Sequence, residues 1–163
     1  MINLYGIYNK SEKLENYLEY NHLIAQVMYG DVVGDMSPIL HIIKRSPKLA
    51  YYYANNIIKG RWVEAEPYIM MDSEHAYKYA YRILKTRWPE AEMYIKQNNY
   101  WSLEYATKVI KGRFIEAEST IMMDSWVAYE YAKDILQSRW VEAESTIMMN
   151  THWWEQYREK IKC

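Results

Sequence analysis

The chain has 163 residues, with 20 basic and 21 acidic side chains and a formal net charge of -1. This length fits one domain with a continuous core, and a net charge so near zero provides no field that attracts nucleic acid or an anionic membrane surface. The aromatic side chains are 18 Tyr, 7 Trp and one Phe, a bias toward rings with a polar tip that suits half-buried helix faces and interfaces.

Residues 1–48 are predicted to cap the repeats that follow them. Their start has no basic segment followed by an apolar run, so we expect no signal peptide. Residues 11–21 have the pattern of a polar helix. Residues 23–48 align weakly with the first full repeat, with Val33-Gly34 under Lys59-Gly60. We therefore predict a degenerate repeat here, as is typical at the end of an array.

A 26-residue unit repeats four times without a gap over residues 49–152. In every unit the same columns carry an arginine, an aromatic ring and a Glu-Ala-Glu triplet. The arginines are Arg61, Arg87, Arg113 and Arg139, the rings are Trp62, Trp88, Phe114 and Trp140, and the triplets lie at 64–66, 90–92, 116–118 and 142–144. Self-similarity at this period is typical of a stacked array, in which each unit buries its apolar face against its neighbours.

Each unit has two apolar-periodic segments with a short break between them. The first segment carries Ala, Tyr, Ala and Ile at helical spacing on one face, which in the first unit are Ala50, Tyr53, Ala54 and Ile57. Gly60 in the break suits a helix end, and Asp72 after the second segment is an N-cap residue for the next helix. Every unit is therefore predicted to be a hairpin of helices of about 10 to 13 residues, with a delayed or kinked second helix at Pro67.

Residues 153–163 align with one more first helix and are predicted to form a C-terminal cap. Tyr157 and Ile161 keep the pattern, but Arg158 stands where the internal units have Ala. A terminal helix with water on its far side is expected to gain charge at such a position. The whole chain, residues 1–163, is thus predicted to be a single all-α domain, a solenoid of short helical hairpins with degenerate caps at both ends.

The string Tyr-Ala-x-x-Ile/Val-Ile-Lys-Gly-Arg-Trp/Phe-x-Glu-Ala-Glu stands at 53–66 and again at 105–118. It resembles repeats of uncharacterised proteins of tailed bacteriophages, and the likeness spans residues 47–157. The resemblance implies a helical repeat fold and a phage origin, and it brings no known chemistry with it. The chain is also similar to tetratricopeptide and Sel1-type arrays in its small-residue hairpins, although its period is shorter and their consensus Gly and Pro placements are missing.

The motifs of common enzyme and metal chemistry are not found. Glu64 and Glu66 are two apart on a helix, so they diverge by about 200° and do not form a catalytic pair. Glu66 and its equivalents are instead predicted to form a half-buried ladder with the repeated arginines. The four histidines have no metal-ligand spacing, and there is neither a phosphate loop nor a nucleophile elbow. We expect no enzyme activity, no metal and no cofactor.

The columns that differ between units are the candidates for partner binding. An aromatic line is predicted along the rim where the first helices begin, and its proposed contact residues are His75, Tyr100, Trp101, Trp126 and Trp153. Trp and Tyr are favoured at interface hot spots, whereas the alternative is that these rings pack where one hairpin meets the next. A second candidate line, predicted to lie off the core face, is Tyr51, Tyr52, Tyr77 and Tyr129.

Three classes of function fit these observations. The first is a non-enzymatic interaction protein that holds a protein partner on an extended surface. The phage resemblance implies a host protein as that partner, which the phage inhibits or redirects. The alternative is a small-ligand or nucleotide-binding protein with a Tyr, Trp and Arg pocket between helices. The third is a structural, self-assembling protein, which the charged Arg158 in the cap disfavours. We expect a cytoplasmic protein without a membrane span, because no stretch approaches about 20 apolar residues.

Overall fold

The computed structural model describes residues 21–30 and 35–161. Within these ranges the regular structure is helical and no strand occurs, which confirms the all-α prediction. No helix in this part of the chain combines the length and the apolarity that a membrane span needs. The predicted polar helix at 11–21 and the predicted break at Val33-Gly34 lie outside the described residues, apart from Asn21.

The helices follow one another in pairs along the chain. A helix at 21–29, α1, is followed by α2 (Leu40–Arg45), which a 3₁₀ turn at Ser37–Ile39 precedes. The four repeat units then contribute α3 (Pro47–Tyr52) with α4 (Glu66–Ile69), α5 (Ser73–Tyr79) with α6 (Pro89–Ile95), α7 (Asn99–Tyr105) with α8 (Glu118–Ile121), and α9 (Ser125–Tyr131) with α10 (Val141–Ile147). The last described helix is α11 (Thr151–Ile161).

The first helix of each repeat unit begins at a side-chain cap. The carboxylate of Asp72 accepts a hydrogen bond from the backbone N–H of His75 at 3.0 Å, and this fixes the start of α5. Asn98 and Asp124 cap α7 and α9 in the same way. These contacts confirm the predicted N-caps, each of which satisfies at least one backbone donor that has no partner inside the helix.

The first helices end in π-helical segments, and each segment ends at a residue in the left-handed region. The segments are Tyr53–Ile58, Ala80–Leu84, Ala106–Ile110 and Ala132–Leu136. The residues that follow them have φ between 51° and 57°, and they are Lys59, Lys85, Lys111 and Gln137. The helix ends at the predicted break, Lys59-Gly60, and it is Lys59 that takes the left-handed conformation. Gly60 follows the left-handed residue and has no positive φ, so Thr86 and Ser138 can occupy its column.

The second helix of the first unit starts late, as predicted, but Pro67 is not the cause. A 3₁₀ turn at Val63–Ala65 precedes α4, and the same kind of turn at Ile115–Ala117 precedes α8, whose unit has Ser119 in place of the proline. Pro67 lies in the first turn of α4. The missing N–H of proline costs nothing there, because first-turn donors have no partner inside the helix.

The repeated apolar columns form one core. Tyr53 and the first-helix column of Ile57 are half-buried. The later tyrosines of the Tyr53 column and the isoleucines of the second helices are fully buried, and they are Tyr79, Tyr105, Tyr131 and Tyr157 with Ile69, Ile95, Ile121 and Ile147. Buried alanines in the same helices allow close approach, and α3 contacts α5, α5 contacts α7 and α7 contacts α9. A smaller apolar cluster of Val27, Met36, Ile39 and Ile43 lies at the N-terminal end.

Candidate functional site

The repeated arginine and glutamate are bound to each other and to a tyrosine of the next unit. In the first unit, Arg61 donates to both carboxylate oxygens of Glu66, from Nε at 2.6 Å and from Nη2 at 2.9 Å. The hydroxyl of Tyr79 donates to Glu66 at 3.1 Å and accepts from the backbone N–H of Trp62 at 2.8 Å. We call this set the Arg–Glu–Tyr network. The predicted ladder pairing is confirmed within each unit, and the tyrosine makes the bond between units.

The same network recurs at the three following junctions. Its members are Arg87, Glu92 and Tyr105, then Arg113, Glu118 and Tyr131, then Arg139, Glu144 and Tyr157. Burial raises the pKa of Tyr79, Tyr105 and Tyr131, and the adjacent glutamate raises it further. The phenols therefore stay protonated and can donate to the carboxylates. These repeated polar groups hold the units together, and they are poor candidates for a reactive centre.

We expect Tyr105→Phe to lower the free energy of unfolding by about 1–3 kcal/mol. The substitution leaves the backbone N–H of Trp88 and an oxygen of Glu92 without the hydroxyl that bonds them at 2.7 Å and 3.0 Å. Urea denaturation followed by circular dichroism measures the change. Tyr81→Phe is the matched control, because its ring is 46% exposed. Equal stability of the two variants would contradict a structural role for the network.

The predicted contact residues occupy two neighbouring columns that differ in exposure. The outer column holds Glu74, Tyr100, Trp126 and His152. In this column Tyr100 is 39% exposed and Trp126 is half-buried. The inner column holds the residues that follow them, His75, Trp101, Val127 and Trp153. Here Trp101 and Trp153 are half-buried, and His75 is only 8% exposed. The structure thus brings Tyr100 and Trp126 together at the surface, at 6.0 Å between ring centroids, while it inserts the inner column between units.

Each residue of the inner column packs on a residue of the preceding unit. The ring pairs are Tyr51 with His75 at 5.7 Å between centroids, Tyr77 with Trp101 at 5.6 Å, and Tyr129 with Trp153 at 5.5 Å. At the remaining junction the inner column holds Val127, and the column of Tyr51, Tyr77 and Tyr129 holds Leu103. Both residues are buried in the core. At three junctions, a ring of the inner column thus packs on a ring of the preceding unit, and at the fourth both positions hold buried aliphatic residues. Packing between units explains this variation without a partner.

The second candidate line does not lie off the core face as predicted. Tyr51, Tyr77 and Tyr129 are buried, and Tyr52 is half-buried. The prediction is wrong because helical spacing inside one unit shows only one packing face. These tyrosines lie on a second face, which the first helix of the next unit covers.

A continuous series of rings reaches the surface in the middle of the chain. Tyr100 contacts Trp101 edge to face at 4.7 Å and stacks on Trp126, while Trp101 continues to Tyr77. Tyr77 in turn stacks on Tyr81 at 5.9 Å and an interplanar angle of 9°. We call Tyr81, Tyr77, Trp101, Tyr100 and Trp126 the aromatic rim. Sequence reasoning missed Tyr81, although it is the only ring in a column that otherwise holds Asn55, Thr107 and Lys133.

A groove with basic side chains adjoins one end of the aromatic rim. Its volume is about 760 Å³, and its lining includes Tyr81, Val109 and Ile110 with the basic residues Arg82, Lys85, Arg87, Lys108 and Lys111. We call it the basic groove. Sequence reasoning found no distinctive polar cluster within any single unit. The basic groove escaped that search because two consecutive units contribute its side chains.

Metal ligation has little support in this part of the chain. Among the described residues, no three His, Cys, Asp or Glu side chains come together in a way that could hold a metal ion.

In comparisons with known proteins, no family model, no curated protein and no solved structure matches the chain.

Proposed function

We propose that this chain is a non-enzymatic solenoid that binds a protein partner through the aromatic rim. The observation that carries the proposal is the run of five adjoining rings that ends at the surface in Tyr100, Trp126 and Tyr81. Large rings with few rotatable bonds and a polar tip supply much contact area at low entropic cost, and they dominate interface hot spots.

The fold does not need aromatic residues in the outer column. Glu74 and His152 occupy this column at the first and last junctions, where Tyr100 and Trp126 stand at the middle ones. Glu74 forms an ion pair with Lys78, so the first junction forms with a charged residue here, whereas the ring of His152 packs edge to face on Trp153, as Tyr100 does on Trp101. An aromatic ring is therefore not required at every junction, and the exposure of Tyr100 favours a role in recognition.

The solenoid assignment rests on the sequence period and on the repeated junctions. Each junction carries the same Arg–Glu–Tyr network, and consecutive first helices contact one another. Arrays of this kind commonly present an extended surface to a partner.

We also propose that the protein is encoded by a phage and acts in the cytoplasm of the host on a host protein. Support for this step comes from the resemblance of residues 53–66 and 105–118 to repeats of tailed bacteriophages. A host protein that is inhibited or redirected by binding requires no catalytic group. That agrees with the use of the repeated Arg, Glu and Tyr side chains in the junctions.

The test compares two matched double variants in affinity capture from a bacterial host lysate. Tyr100→Ser with Trp126→Ser removes the exposed rings of the aromatic rim. The control is Tyr68→Thr with Tyr94→Thr, which removes two rings from the second helices at a column where later units have Thr120 and Thr146. Mass spectrometry quantifies the retained proteins, and thermal melting confirms that each variant is folded.

We expect the parent and the control to retain the same stoichiometric protein, and the aromatic-rim variant to retain at least about tenfold less of it. Binding of the purified partner to all three proteins then gives the affinities directly. Equal capture by the rim variant would place the interface elsewhere. Absence of any protein captured by the parent would speak against a host protein as the partner.

A further inference from the structure

We propose that the basic groove binds a nucleoside polyphosphate. Arg82 and Lys85 approach from the end of the first helix of one unit, and Lys108 and Lys111 approach from the end of the first helix of the next. The volume of about 760 Å³ falls within the range of small-ligand sites, roughly 300 to 1,000 Å³. Guanidinium and ammonium groups are the side chains that proteins use most for phosphate.

The positive charge in the basic groove is not neutralised by the protein. Among the described residues, no carboxylate lies within 4.0 Å of the charged groups of Arg82, Lys85, Lys108 or Lys111. Arg87 differs, because Glu92 binds it through two hydrogen bonds. Four cations without a carboxylate partner around one groove, of which Arg82 hydrogen-bonds Tyr51, concentrate a positive potential that attracts a polyanion on a chain whose net charge is -1.

Stabilisation of helix ends does not explain these charges. Cations near a helix C-terminus interact favourably with its dipole, and Lys108 and Lys111 lie at such an end. The fourth unit, however, has Asp134 and Gln137 in the same two columns. Its helix still ends in the same π-helical segment, and Gln137 has a φ of 51° against 57° for Lys111. The fold forms this end without Lys108 and Lys111, so helix termination alone does not account for them, although Lys59 keeps the column of Lys111 positive in the first unit as well.

The limited extent of the charge favours a compact ligand over a nucleic acid. The column of Arg82 and Lys108 holds Asn56 in the unit before and Asp134 in the unit after. A nucleic acid needs a track of cations along its backbone, whereas this column is positive in only two consecutive units and Lys59 alone extends the other column into the first unit.

Tyr81 supplies the feature that favours a nucleoside over an inorganic phosphate chain. Its ring is 46% exposed and lines the basic groove, and Tyr77 supports it from behind at 5.9 Å in a nearly parallel stack. Stacking on an aromatic ring is a sequence-tolerant way to hold a nucleobase. In this arrangement the base lies on Tyr81, while the phosphates lie between the basic side chains of the two units.

The experiment measures binding of ATP and of inorganic tripolyphosphate by isothermal titration calorimetry at low salt. The test variant is Lys85→Gln with Lys111→Gln, because Gln137 already fills this column in the fourth unit. The control is Lys48→Gln with Lys59→Gln, which removes the same charge from exposed positions outside the groove. Tyr81→Ala tests the stacking, and a melting curve of every variant confirms the fold.

We expect one ATP per chain, about tenfold or more weaker binding in the test variant, and little change in the control. Tyr81→Ala is expected to weaken ATP binding but not tripolyphosphate binding. Absence of ATP binding, or equal weakening in both lysine variants, would overturn the site. ATP binding no tighter than that of tripolyphosphate would overturn the nucleoside assignment. Equally tight binding of an octaglutamate peptide would show that the groove takes acidic protein segments instead.

Discussion

Replacing Trp88 with Ala is expected to lower the free energy of unfolding by about 3–5 kcal/mol. Trp88 is 5% exposed, and its ring packs on Tyr79 at 5.2 Å between centroids. The cavity left by the indole has little freedom to collapse. The hydroxyl of Tyr79 is held by Glu66 and by the backbone N–H of Trp62, so the neighbouring ring stays in place.

Urea denaturation followed by circular dichroism measures this loss. Trp88→Phe is the matched control, because Phe114 fills the same column in the third unit and is fully buried there. The Phe variant is expected to lose clearly less stability than the Ala variant, since it leaves a smaller void. If Trp88→Ala melted within a degree or two of the parent, the ring would not be part of the core.

Stability is also expected to fall steeply at alkaline pH. Burial raises the pKa of Tyr77, Tyr79, Tyr105 and Tyr131 well above the ordinary value of 10.0, and a neighbouring glutamate raises each pKa further. At a pH between the ordinary pKa of the phenol in the unfolded chain and its raised pKa in the folded chain, the unfolded chain has released the phenolic proton and the folded chain has kept it. The stabilisation is therefore complete below about pH 10 and is lost as the pH rises, by at most about 1.4 kcal/mol per pH unit for each phenol.

Melting temperatures from about pH 8 to about pH 12 test this expectation, with the ultraviolet absorbance of tyrosinate recorded in parallel. Lysines lose their charge in the same range, so the comparison with Tyr105→Phe is essential. With one buried phenol fewer, that variant is expected to show a shallower decline. A decline of the same slope in both proteins, or complete tyrosinate formation before unfolding, would contradict the role of the buried phenols.

The period of the sequence predicted the helices and much of their chemistry. The N-cap at Asp72, the pairing of Arg61 with Glu66 and the buried Ile69 all follow from patterns inside one unit, where helical spacing gives the geometry. The sequence predicted the helix end at the Lys59-Gly60 break but not that Lys59 takes the left-handed conformation there. Glycine is the usual residue for this conformation, and the sequence alone does not show that the packing imposes it on a lysine.

The features that the sequence did not predict lie between units. Tyr77 and Trp101 are 24 residues apart, and their contact appears only when consecutive first helices are placed side by side. The unit pattern showed that these columns vary, but not that they vary together. The same limit applies to the basic groove, because Lys85 and Lys111 belong to different units. Contacts across a junction depend on the offset between units, and periodicity does not fix that offset.

The Arg–Glu–Tyr network is asymmetric along the chain. The tyrosine always comes from the following unit, so each unit is completed from its C-terminal side. After the last unit, Tyr157 in α11 makes these bonds: its hydroxyl donates to Glu144 and accepts from the backbone N–H of Trp140. A unit gained or lost as one 26-residue block would restore every bond with the same partners. A final helix with a tyrosine at this position stays obligatory. Such a chain can change its length by gene duplication with the Arg–Glu–Tyr network intact at every junction, provided that the helix after the last unit keeps its tyrosine.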